Sequence, residues 1–127
     1  MLAACSGLRE PPKEPDPNVV PGDFKTKVIR ELHGRLPDPT GVRDATISEP
    51  ALKQTGAVQR YISCVRYNAK DDNGKYAGLT ERAIYFFNGE ITQIVDDGAQ
   101  DLCRGVPYQP FPELMRLCRE IVCPERR

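Results

Sequence analysis

Asn88-Gly89 sits between two runs of β-forming residues, and it constrains the fold more than any other pair in the chain. Both positions tolerate positive φ, so the dipeptide predicts a two-residue hairpin turn. The flanking runs, Tyr76 to Phe87 and Glu90 to Val95, become antiparallel partners. With Phe87 opposite Glu90, Phe86 falls opposite Ile91, Tyr85 opposite Thr92, Ile84 opposite Gln93 and Ala83 opposite Ile94. Alternation then puts Ile84, Phe86, Ile91 and Val95 on the face that covers a core. The opposite face, with Tyr85 and Phe87, is more amphipathic.

Upstream, Val58 to Asn68 is rich in β-formers (Val58, Tyr61, Ile62, Val65, Tyr67). Asp71-Asp72-Asn73-Gly74 is a turn signal that returns it to the Tyr76 strand. A further strand is expected over Val42 to Ser48, with Val42, Ala45 and Ile47 as its apolar members. Gln54-Thr55-Gly56 marks a loop. Before the strands, Phe24, Val28, Leu32 and Leu36 recur at four-residue steps with Ile29 beside them. This predicts a helix from Phe24 to about Leu36, capped by Asp23 and ended by Pro37 and Pro39. Apolar periodicity over Phe111, Leu114, Met115, Cys118 and Ile121 predicts a last helix from Phe111 to about Ile121, with Pro112 in its first turn. The expectation is an α+β domain over residues 23–127: a four-stranded antiparallel sheet with an N-terminal and a C-terminal helix on one face.

Residues 6 to about 22 read differently. Five prolines alternate with charged residues, and few side chains there have apolar area to bury. The composition predicts a disordered tether extended at about 3.1 Å per residue. Immediately before it stands Leu2-Ala3-Ala4-Cys5-Ser6. This resembles a bacterial lipobox, in which small residues precede the cut and the cysteine sulfur carries diacylglycerol. The resemblance implies lipidation at Cys5, an apolar leader encoded upstream, and contact with outer-membrane lipid on the periplasmic face. Multiple acyl chains on one residue hold a protein firmly where a single chain holds it marginally.

Set Cys5 aside and Cys64, Cys103, Cys118 and Cys123 remain. An even number in a small domain suits two disulfides in an oxidising compartment, with three pairings open. A zinc site is disfavoured by the Cys118-Cys123 spacing and by the distance of the sole histidine, His33, from every cysteine. Basic and acidic residues balance at 18 each, which gives no broad attraction to nucleic acid.

Two segments also resemble a pattern in small bacterial exported or lipid-anchored proteins. One is Leu36-Pro37-Asp38-Pro39-Thr40-Gly41-Val42-Arg43. The other runs Cys64-Val65-Arg66-Tyr67-Asn68-Ala69-Lys70, then a glycine-containing turn, then Tyr76-Ala77-Gly78 and an aromatic strand. The resemblance implies a shared hairpin, with Asn68 and Gly78 acting structurally at its turn.

Catalysis finds little support in these residues. His33 is the only imidazole and has no nearby catalytic partner in sequence, and Asp71-Asp72 and Asp96-Asp97 belong to turns. The Asp71 turn lacks the later glutamate and the phase of a calcium loop. No cofactor or metal is expected. Tyr67, Asn68, Tyr76 and Tyr85 are the candidate binding face for an envelope protein or a glycan, because tyrosine combines a packing ring with a polar tip. The functional expectation is a non-catalytic, lipid-anchored envelope module. The alternative is a disulfide-stabilised inhibitor of an exported hydrolase, using the Asp71-Gly74 turn or the Cys103-Pro110 loop. An enzyme of unknown class ranks third.

Overall fold

The computed structural model describes residues 19–120. Six strands form one antiparallel sheet: β1 (Asp38–Ile47), β2 (Ala51–Thr55), β3 (Val58–Lys70), β4 (Tyr76–Phe87), β5 (Glu90–Val95) and β6 (Gln109–Pro110). The order is β5-β4-β3-β1-β6, with β2 also paired to β3. Helix α1 (Phe24–Arg35) precedes the sheet, α2 (Ala99–Leu102) follows β5, and a 3-10 turn spans Pro112–Arg116.

The sheet is larger than the four strands expected. β1 begins at Asp38, ahead of Val42, although Pro39 cannot donate to a ladder. β2 takes in Gln54 and Thr55, expected in a loop, and pairs with the first half of β3, from Ala51↔Ile62 to Thr55↔Val58. β1 pairs with the second half, from Asp38↔Lys70 to Ile47↔Val65. The two strands thus share one side of β3, interrupted at Ser48-Glu49-Pro50. Proline has no N–H for the ladder there, and Ser48 supplies the substitute contacts. Its backbone N–H reaches the Cys64 carbonyl at 2.8 Å, and its Oγ accepts the Cys64 N–H at 2.8 Å. The Ser63 hydroxyl donates to the Ser48 carbonyl. Both serines are buried, and these bonds satisfy them.

The Asn88-Gly89 hairpin forms with Phe87↔Glu90 and Phe86↔Ile91, as the turn predicts. The register beyond that point is corrected. The next pairs are Tyr85↔Gln93, Ile84↔Ile94 and Ala83↔Val95, so Thr92 is the extra residue of a bulge. Its hydroxyl donates to the Tyr85 carbonyl at 3.3 Å. The slip puts Ile94, in place of Val95, on the Ile84 face, and Val95 packs on the opposite face. A second irregularity, at Asp44 with φ 55, interrupts alternation in β1 and lets Val42, Ala45 and Ile47 all be buried.

Helix α1 buries Val28 and Leu32 against the sheet. It ends at Leu36, an extended residue of the kind that precedes proline. Asp23 stands at the N-cap position in the left-handed region and its side chain makes no capping bond, contrary to expectation. Lys27 ties the helix to the hairpin turn, donating to the Gly89 carbonyl at 2.7 Å beside Glu90 at 3.1 Å. Pro21 is already buried, so packing extends ahead of Asp23.

The expected last helix is corrected as well. Only Pro112–Arg116 coil, as a 3-10 turn, and Leu117 is extended. The Phe111 N–H is held by the Ala45 carbonyl at 2.9 Å, which fixes the chain on β1 rather than releasing it into an α-helix. Phe111 and Leu114 still join the core shared with α1. The expected Ile121 end, Cys123, Cys5 and most of the proline-rich tether lie outside the described residues.

Candidate binding site

The two motif segments meet at one end of the sheet. Asp38 of β1 pairs with Lys70 of β3, and Arg43 pairs with Asn68. Asn68 Oδ1 accepts the Gly78 N–H at 2.9 Å across the hairpin. Gly78 has φ 100, a conformation that side-chain-bearing residues rarely adopt. The Asn68 side chain thus bonds neighbouring backbone, whereas Gly78 is called for by its positive φ and not by a close approach, since a Cβ there would meet nothing within 4 Å.

Tyr76 reaches back to β1, donating its hydroxyl to the Gly41 carbonyl at 2.6 Å. The Arg43 guanidinium lies 3.8 Å over its ring, and Lys70 Nζ lies 5.8 Å from it. Gly41 has φ 66, which favours glycine, and a Cβ there would press on Lys70 Nζ at 3.1 Å and Tyr76 Oη at 3.2 Å. Asp38 Oδ1 accepts the Thr40 hydroxyl at 2.6 Å and its N–H at 2.9 Å. Those bonds hold the Asp38 carboxyl below its ordinary range, with Lys70 helping from 4.0 Å. The adjoining turn is stiff. Asp71 Oδ1 accepts the N–H groups of Asn73 at 2.8 Å and Lys75 at 3.0 Å.

The four residues proposed as one binding face do not share a surface. Asn68 and Tyr76 belong to this motif end. Tyr67 is buried in the core with α1, where burial raises its hydroxyl pKa against the lowering effect of Arg82. Tyr85 packs on the opposite side of the sheet, against Ile62, Cys64, Ala83, Ala99 and Cys103.

That opposite side holds a cluster that sequence spacing does not reveal. Cys64 and Cys103 form a disulfide with both residues buried. It selects one bond from the three possible pairings; Cys118 is disulfide-bonded too. Next to it, Glu81 Oε2 accepts Arg66 Nε–H at 2.9 Å and the Tyr108 hydroxyl at 2.6 Å. The Arg66 guanidinium lies 4.3 Å over the Tyr108 ring. Burial first, and the Glu81 carboxylate second, push the Tyr108 hydroxyl far above its ordinary pKa. The bond to Glu81 holds Arg66 still more firmly protonated. The Cys103-Pro110 loop is thus fastened down at both ends.

On the α1 side, the Leu36-Pro37 connection roofs a groove. It comprises two neighbouring cavities of about 180 and 170 Å³ that share Leu36, Pro37, Tyr67 and Arg82 as lining. Arg82 was missed as a candidate. The signal that finds it is a charged residue in phase with the core-facing Ile84 and Phe86.

His33 Nε2 lies 3.0 Å from the Cys118 carbonyl, holding α1 to the C-terminal stretch. Among the described residues no group of three or more His, Cys, Asp or Glu side chains could hold a metal ion. No family model, curated protein or solved structure matches this chain.

Proposed function

We propose that this chain is a lipid-anchored binding or assembly module on the periplasmic face of the bacterial outer membrane. Cys5 carries the acyl chains, the proline-rich segment sets the reach, and the sheet domain meets an envelope protein or a glycan. The observation that most supports this reading is the buried Cys64–Cys103 bond, which closes a separation of 39 residues. Such bonds persist where thiols are not kept reduced, as in the periplasm. Among the described residues no helix is long and apolar enough to cross a membrane, so a lipid on Cys5 would supply attachment. We read the role as binding rather than catalysis, because His33 is engaged with a backbone carbonyl.

Replacing Cys5 by Ala in the full precursor, expressed in a Gram-negative host, should move the protein from the membrane fraction to the soluble one. Unchanged membrane fractionation would overturn the reading. The inhibitor alternative draws on the exposed turn at Asp72-Asn73-Gly74, stiffened by Asp71. The Cys103-Pro110 loop serves it less well, being held to the sheet. A photo-crosslinker at Asn73 separates the two: capture of a hydrolase with loss of its turnover favours inhibition, and capture of a membrane-protein partner favours assembly.

A further inference from the structure

Arg82 stands on the core-facing side of β4, between Thr80 and Ile84, and is only partly exposed. The Tyr67 hydroxyl lines the same groove and interacts with the Arg82 guanidinium. Its Nε is buried with no hydrogen-bond partner. The other cations lining the groove already have carboxylates: Arg35 lies 3.3 Å from Glu31, and Lys70 lies 4.0 Å from Asp38. Among the described residues, no carboxylate lies within ion-pair distance of Arg82. A partly buried guanidinium without an anion is costly, and its planar edge matches a carboxylate.

Apart from Thr80 and Asp71, the remaining walls are apolar. Leu32, Leu36, Pro37 and Ile94 line one cavity, and Ala69 and Ala77 extend the other. Each has room for about six non-hydrogen atoms at roughly 30 Å³ apiece. A phosphate would bring a second negative charge to a single unmatched cation, with Asp71 at the open end of the groove repelling it. A monoanion with an apolar tail meets the site better.

We propose that this groove binds a small amphiphilic carboxylate, its head on Arg82 and Tyr67 and its tail along Leu36 and Pro37. The site stands independently of the lipid on Cys5. Its test is separate from membrane fractionation, so either reading can fail alone.

The full chain is titrated with octanoate while its backbone amide resonances are followed. Saturable shifts are expected at Tyr67, Arg82 and Ile94. Acetate, n-octanol and inorganic phosphate should each bind at least about tenfold more weakly, because each lacks the tail, the charge or the match to one cation. Equal binding of any of the three would overturn the proposal, as would an absence of saturable shifts with octanoate. Arg82→Met keeps the apolar stem and should abolish octanoate binding; an unchanged affinity would overturn the assignment of Arg82. Should that variant lose its native spectrum, Ala77→Phe serves instead. It fills the outer cavity from an exposed position and should weaken octanoate about tenfold, and unchanged binding would again overturn the site.

Discussion

The two faces of the sheet are stabilised by different means. Under α1, apolar packing is extensive: Val28, Leu32, Ile47, Val65, Ile84, Phe86, Phe111 and Leu114 are all essentially inaccessible to solvent and belong to one cluster. On the other face, among the described residues, five are buried in a cluster, and two of them are the disulfide partners Cys64 and Cys103. The four-residue α2 is too short to cover much area. Where apolar burial is scarce, covalent and charge-assisted contacts take its place. The Cys64–Cys103 bond and the Arg66–Glu81–Tyr108 cluster hold the 103–110 stretch that α1-type packing would otherwise hold.

This contrast can be broken most directly at Phe86. Phe86→Ala opens a cavity in the larger core and should cost about 3–5 kcal/mol, read from the urea midpoint. A loss smaller than that of the disulfide variant would mean that the α1 face is not the dominant support. Replacing Cys64 and Cys103 together by Ala should cost about 2–4 kcal/mol. The 39-residue separation puts the effect toward the upper end. Amide exchange should quicken at Ala99–Tyr108 and stay slow in α1; uniform quickening would show that the faces do not open separately.

The smallest effect is expected at Tyr108. Tyr108→Phe removes a bond to a carboxylate that is still partly hydrated, and should cost about 1 kcal/mol at neutral pH. The folded protein raises the hydroxyl pKa of both Tyr108 and Tyr67. Their protons are therefore held more tightly folded than unfolded. That stabilisation is complete below the unfolded tyrosine value of about 10 and drains away as pH rises past it. Wild-type stability should fall above about pH 10, and Tyr108→Phe should fall less steeply, with Tyr67 still contributing. Parallel alkaline profiles would remove Tyr108 from the account.

Local patterns carried much of the fold. The four-residue spacing of Phe24, Val28 and Leu32 located α1, and Asn88-Gly89 located a hairpin with its first two pairs in register. Both depend on residues a few positions apart. The Thr92 bulge escaped because nothing in Ile91-Thr92-Gln93-Ile94 distinguishes a slipped ladder from a regular one. β2 and β6 escaped because their short, largely exposed stretches become strands only by pairing with β3 and β1. The last helix was over-read: an apolar period over Phe111 to Ile121 fits α-geometry, yet the bond from Phe111 to Ala45 holds its start on the sheet.

The candidate site divides in the same way. Asn68 and Gly78 were legible as turn chemistry, ten positions apart. The grouping of Tyr67, Asn68, Tyr76 and Tyr85 failed because strand alternation sends Tyr67 into one core and Tyr85 over the other. Glu81's partners, Arg66 and Tyr108, stand 15 and 27 positions away and carry no mutual signal in the chain.

Residue order alone determined the helix, the central hairpins and the even set of cysteines. Those features follow from backbone preference and side-chain periodicity, which act over a few bonds. Tertiary structure alone decided which cysteines join, which face Ile94 and Val95 take, and that Arg82 lies beneath Leu36 and Pro37 without an anion. Each of these depends on strand register or on contacts between distant segments: a one-residue slip, as at Thr92, reverses every side chain beyond it, and local propensity is indifferent to the choice.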